Sequence, residues 1–96
     1  MKTFQNYVAP STADLAALKD QLGYTGAQMA DLASVAGSNQ WRKYTGGAAP
    51  REINPHMLFF IAARLELSDA DLARILARMR EIGADFQFEE PTAISE

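Results

Sequence analysis

The sequence predicts an all-α protein, a bundle of five helices with a short extension at each end. Three observations predict it. Between residues 11 and 83 apolar side chains recur every three or four positions, the period of a helix with one buried face, and no alternating strand pattern interrupts them. A Ser, Thr or Asn stands before each apolar stretch, where its side chain can accept from the open N–H groups of a first helical turn. Glycine follows most of the stretches, the residue that leaves a helix through the left-handed conformation without steric cost.

Residues 1–10 carry Phe4, Tyr7 and Val8 and read as an extended arm, anchored where one of these finds the core. Ser11, with Asp14 three residues later, is a capping-box pattern for a first helix that puts Leu15, Leu18 and Leu22 on one face and stops at Gly23. Thr25 and Gln28 repeat the box for a second helix, buried through Met29, Leu32 and Ala33, with Gly37 in the turn beyond it. A third, short helix begins at Ser38 or Asn39, both good caps, and ends at Gly46 and Gly47. The run GGAAPREI has the composition of a surface loop.

Asn54 and Pro55 then stand in the favoured order of cap and first helical residue, opening a fourth helix with Leu58, Ile61, Ala62 and Leu65 as its inner stripe. Ser68 and Asp71 make another box, spanned by Leu67 and Leu72 as a hydrophobic staple. Leu72, Ile75, Leu76, Met79 and Ile82 carry the fifth helix to Gly83. In the DFQFE segment, alternation puts Phe86 and Phe88 on one side of an extended chain. Residues 89–96 are acidic, contain Pro91 and read as a frayed end. The organisation is an arm at 1–10, a folded domain at 11–83 and a tail at 84–96.

A chain of 96 residues is one domain. It buries roughly 60–70% of its unfolded surface, enough for an ordinary core without metal or disulfide. The absence of cysteine excludes a disulfide framework and a thiolate metal site and is compatible with a reducing cytoplasm. The first residues lack the basic start and apolar run of a signal peptide, and MLFFIAA at 57–63 is too short for a bilayer. The expectation is a soluble, cytoplasmic protein. Net charge is −3, but it is unevenly spread: residues 36–64 hold four basic groups and one acidic, residues 65–96 three basic and eight acidic. Attraction for phosphate acts over about 8–10 Å, so a basic middle matters even on an acidic chain.

The third helix gathers the polar chemistry of that middle block. Trp41 and Tyr44, three apart, make its buried face with Val35 beneath them, which leaves Asn39, Gln40, Arg42 and Lys43 outside and Ser38 at the helix start. Asn and Gln pair bidentately with adenine, Arg and Lys with guanine, and all of them take phosphates. The candidate DNA-binding set is therefore Ser38, Asn39, Gln40, Arg42 and Lys43, with Arg51 from the loop that follows. An ordinary solvated helix face has the same composition and stands as the alternative.

The pattern T-x-x-Q-M-A-x-L at 25–32, Val35 in the turn and WRKYTGG at 41–47 resemble the lambda-repressor/Cro-like (Xre-type) helix-turn-helix family, small phage-type regulators in particular. The likeness covers about residues 15–67, a little over half of the chain. It implies a lambda-repressor-like bundle whose second and third helices read double-stranded DNA, with Arg51, Asn54 and His56 next to the DNA backbone and often a homodimer on a palindromic operator. The activity it implies is sequence-specific transcriptional regulation, a repressor acting by occupancy, with no cofactor and no membrane partner. Two departures stand out: Gly26 replaces a polar residue, often Gln, and one extra residue lies between Val35 and Trp41.

Catalysis has no visible basis. His56 is the one histidine, no phosphate-cradling GxxxxGK[ST] is present, and Glu89 and Glu90 lie in the tail. The other reading is a protein-interaction module, a degenerate helix-turn-helix or phage-type inhibitor whose acidic last third meets a basic protein partner. Exposed Arg42 and Lys43 favour DNA; a buried or acid-paired set favours protein. Two seams suit a dimer: the outer edge of the fifth helix at Arg74, Arg78 and Met79, and the Phe86–Phe88 segment paired as a strand with its symmetry mate. Against the second, both phenylalanines can instead fold back on their own core.

Overall fold

The computed structural model describes residues 1–89 of the chain, and the acidic end at 90–96 lies outside the described residues. Five α-helices follow one another: α1 (Thr12–Leu22), α2 (Gly26–Ala33), α3 (Ser38–Thr45), α4 (Pro55–Glu66) and α5 (Asp69–Ile82). Among the described residues there is no strand, so the protein is a small all-α bundle.

The helix starts follow from short polar side chains. At α1, Ser11 Oγ accepts from the Asp14 N–H at 3.1 Å while the Asp14 carboxylate accepts from the Ser11 N–H at 2.9 Å. Thr25 and Gln28 exchange the same two bonds at α2, at 3.1 and 2.8 Å. At α5 the expected box is half made: Ser68 Oγ accepts from the Asp71 N–H, but the Asp71 carboxylate turns to Arg74 at 2.9 Å. An arginine one turn on offers that carboxylate a charged partner, which competes with a backbone amide.

Two ends differ from expectation. α3 begins one residue early, with Gly37 as its N-cap and no side-chain cap bond, so neither Ser38 nor Asn39 caps it. The left-handed position closing α2 is Ser34, at φ 60°, and not a glycine. Its N–H reaches the carbonyls of Ala30 and Asp31, which holds the turn in place of glycine's freedom.

The core is built around α2. Met29, Ala30, Leu32 and Ala33 are buried there, joined by Leu15 of α1, Trp41 of α3, Ile61 of α4 and Ile53 from the loop. α2 packs on α3 and α4, and α1 packs on α3. Two alanines on the buried side of α2 let its neighbours approach closely. Arg64 of α4 ties this centre together by donating from Nη1 to the carbonyls of Asp31 at 2.7 Å and Leu32 at 2.9 Å. Both carbonyls lie in the last turn of α2, the Asp31 one also accepting from the Ser34 N–H, and there the helix dipole favours a cation.

The inner side of α4 is rotated from the expected stripe. Ile61 is buried and Met57 and Leu58 pack against the core, whereas Ala62 and Leu65 are exposed on a shoulder that no element among the described residues covers. α5 is the reason, because it shares in none of the main helix seams and buries none of its residues.

The extensions both return to the bundle. In the arm, Tyr7 is the anchor: its hydroxyl donates to the Ile53 carbonyl at 2.7 Å, and burial followed by the nearby Glu52 charge pushes its pKa above the ordinary tyrosine value. Phe4 meets Phe59 edge-on, and Val8 stays in solvent. In the tail, Phe86 lies over the Arg80 guanidinium at 4.4 Å, and Arg64 is flanked by Phe60 at 5.5 Å and Phe88 at 5.1 Å. Each phenylalanine is thus engaged within its own chain, and residues 84–89 form no strand within it.

Candidate nucleic-acid interface

Successive residues of a helix are turned by about 100°, so burying Trp41 decides which α3 side chains meet solvent. Trp41 is 2% exposed, and Tyr44 packs half-buried beside it together with Val35. On the opposite arc stand Asn39, Arg42 and Lys43, all exposed. Ser38 and Gln40 fall on the two flanks of that arc and are half-buried. α3 is held by both α1 and α2, so its covered face is wider than one apolar pair implies.

At the start of α3, Ser38 lies close to the start of α2: a Cβ on Gly26 would meet Ser38 Cβ at 3.4 Å. That is ordinary contact, so alanine fits, while any longer side chain there would spread over the approach to Ser38. Position 26 itself thus offers backbone and no side chain beside the start of α3.

Arg42 Nη2 donates to Asn39 Oδ1 at 3.0 Å. The pair is one turn apart and exposed, and the bond uses one of the five guanidinium donors while leaving the amide N–H groups of Asn39 free. Arg51 joins the two from the loop. Its backbone N–H donates to the Lys43 carbonyl at 2.7 Å, folding the segment after α3 back against the helix. Gly47, at φ 83°, allows that reversal in the left-handed region. Asn39, Arg42, Lys43 and Arg51 then line one shallow open groove floored by Gly46, Gly47, Ala48 and Ala49. Small floor residues leave the three cations as the tallest features.

Among the described residues, neither Arg42, Lys43 nor Arg51 makes an ion pair; the two ion pairs present both lie within α5. The start of α4 contributes less than the sequence suggests. Asn54 Oδ1 is occupied in accepting from the Met57 N–H at 2.8 Å, while His56 is exposed in the first turn.

The structure thus brings together Asn39, Arg42, Lys43 and Arg51 of the expected set and sets Ser38 and Gln40 at its edges. Sequence reasoning missed the Asn39–Arg42 bond, although three-residue spacing on a helix is the signal for it. It also missed the role of Ala48 and Ala49, which no side-chain chemistry announces. Among the described residues no group of acids and histidine could hold a metal ion, and no helix is long and apolar enough to cross a membrane. Compared with known proteins, the chain matches no family model, no curated protein and no solved structure.

Proposed function

We propose that the protein is a sequence-specific DNA-binding transcriptional regulator of the cytoplasm, a repressor acting by occupancy, and that α3 is its reading helix. One observation carries the reading: three exposed cations surround a single groove beside an exposed asparagine, with no ion pair to any described residue. Phosphates supply the anions such a groove lacks, and the Arg42–Asn39 pair has the donors and acceptor that base edges require. In this account Lys43 and Arg51 hold backbone, Arg42 and Asn39 read bases, and Ser38 and Gln40 act from the flanks. Two copies bind a two-fold operator, because one short helix samples only a few base pairs.

Selection from a random-sequence duplex pool tests the reading. Enrichment of a common motif, bound by the parent chain and about tenfold or more weaker with Arg42→Ala, is the expected result. A pool without enrichment leaves the protein-module reading in its place.

A further inference from the structure

Base pairs are told apart in the major groove by which of their edge atoms donate and which accept, so a reading face selects according to the donors and acceptors it still has to offer. On α3 the bond from Arg42 Nη2 to Asn39 Oδ1, at 3.0 Å, decides that inventory. Among the described residues lining the groove, Asn39 Oδ1 is the one side-chain acceptor, and none is an acid. With that oxygen turned to a guanidinium, what the lining side chains still hold out are donors: the N–H bonds of Arg42, the Asn39 amide, Lys43 and Arg51. Ser38 and Gln40, which carry further acceptors, are half-buried at the flanks.

Arg42 keeps its power to read. A guanidinium has two parallel pairs of N–H bonds, Nε with Nη2 and Nη1 with Nη2, and they use different hydrogens of Nη2, so one bond to Asn39 leaves one pair whole. The bond also fixes the side chain: held from one turn back, on a helix anchored by the buried Trp41, the guanidinium has less freedom to lose on meeting a base. Asn39 gives up more. Pairing with adenine takes an amide N–H to N7 and returns an N6–H to the amide oxygen, and here that oxygen already has a cation against it.

The four bases answer such a face differently. Guanine presents two adjacent acceptors, N7 and O6; adenine puts a donor amino group in place of one of them, cytosine offers a donor, and thymine has one acceptor beside a methyl group. A face of donors finds its complement in guanine, while the amino groups of adenine and cytosine stand opposed to its N–H bonds.

We propose that the protein is a reader of guanine, with Arg42 set on N7 and O6 through its intact N–H pair, Asn39 holding it there, and adenine rejected at the same base pair. Asn39 is on this account a positioning residue, acting on the base through Arg42. The proposal rests on the DNA-binding reading and deepens it by naming the base.

Selection from a random-sequence duplex pool with the full chain, followed by titration of the selected duplex and of its guanine-to-adenine exchange, tests it. The expected motif holds a guanine whose exchange for adenine weakens binding by the parent about tenfold or more and makes no difference to Arg42→Ala. Asn39→Ala should lose most of that preference with unchanged circular dichroism and an unchanged salt slope, because no charge goes with it. Asn39→Asp keeps an acceptor for Arg42 and should keep the preference while binding every duplex more weakly. Adenine at the base pair that depends on Arg42 overturns the proposal and leaves the DNA reading standing, as does a preference that Asn39→Ala retains in full or that Asn39→Asp loses. A pool without enrichment removes the DNA reading and this proposal with it.

Discussion

α3 and α5 both turn a whole helical face to solvent, and the two faces are chemical opposites. On α3 the exposed arc holds Asn39, Arg42 and Lys43, and its charges have no counter-ion among the described residues. On α5 the exposed row is Ile75, Met79 and Ile82, and Arg74 and Arg78 beside it are each paired to an acid of the same helix. Their inner sides differ just as much. α3 is anchored by the buried Trp41 and gripped by α1 and α2, whereas α5 has no buried residue. An unpaired cation on a rigidly held helix is placed to meet an anion. An apolar row bordered by internally paired charges has nothing comparable to attract one. The two faces thus differ in kind, and charge already separates them: two basic groups and no acid on α3, three of each on α5.

The largest effect should come from breaking the anchor. Trp41→Ala removes the largest fully buried side chain and should cost roughly 3–5 kcal/mol in urea unfolding, with the α3 face lost along with it. A variant that melts like the parent would mean that α3 is held by something other than its inner face. Next comes Arg64→Ala, which strips two charge-assisted bonds from the end of α2 and releases Phe60 and Phe88 from their shared cation. About 1.5–3 kcal/mol of stability should go with it, since bonds to a charged group lie in that range. Duplex binding by the folded fraction should stay as it was.

Arg42→Ala should leave unfolding almost untouched and weaken duplex binding by about 1–3 kcal/mol, the discrimination of one good bidentate contact. Equal affinity in a titration of the folded variant would remove Arg42 from the reading face. The smallest effect concerns pH. The Asp14 carboxyl sits below the ordinary carboxylate range because it accepts from the Ser11 backbone N–H and then from the Ser11 hydroxyl. Its contribution is therefore fully present above the unfolded value and is lost as pH falls through the lowered folded one. Asp14→Asn should flatten the acid limb of thermal unfolding slightly, an effect on the α1 support of α3 that α5 does not share.

Much of this was legible in the sequence, for identifiable reasons. Ser11, Thr25, Asn54 and Ser68 mark helix starts because capping is settled within four residues, so short-range pattern suffices. Trp41 and Tyr44 mark the inner side of α3 for the same reason. What a pattern cannot show is which neighbour arrives. The spacing along α5 is that of a packed helix, yet among the described residues no element comes to cover Ile75, Met79 and Ile82. Ala62 and Leu65 of α4 are left exposed by that same absence. Ile53 reads as the end of a polar loop but is 1% exposed. Its place just before the Asn54 cap, with Leu58 at the fourth helical position, is the hydrophobic-staple pattern that could have found it. At the candidate site, Asn39, Arg42, Lys43 and Arg51 were legible from residue type. The half-burial of Ser38 and Gln40 was not, because it depends on α1 and α2 flanking α3.

The central claim is that the exposed cations of α3 and its loop, which make no ion pair among the described residues, meet phosphate. Its most direct test is the affinity of the parent and of Lys43→Ala for the selected duplex across a range of salt concentrations. The account predicts a steep fall of log affinity with log salt for the parent and a slope shallower by about one for the variant, the signature of one phosphate contact removed. Identical slopes and affinities in the two proteins would contradict it.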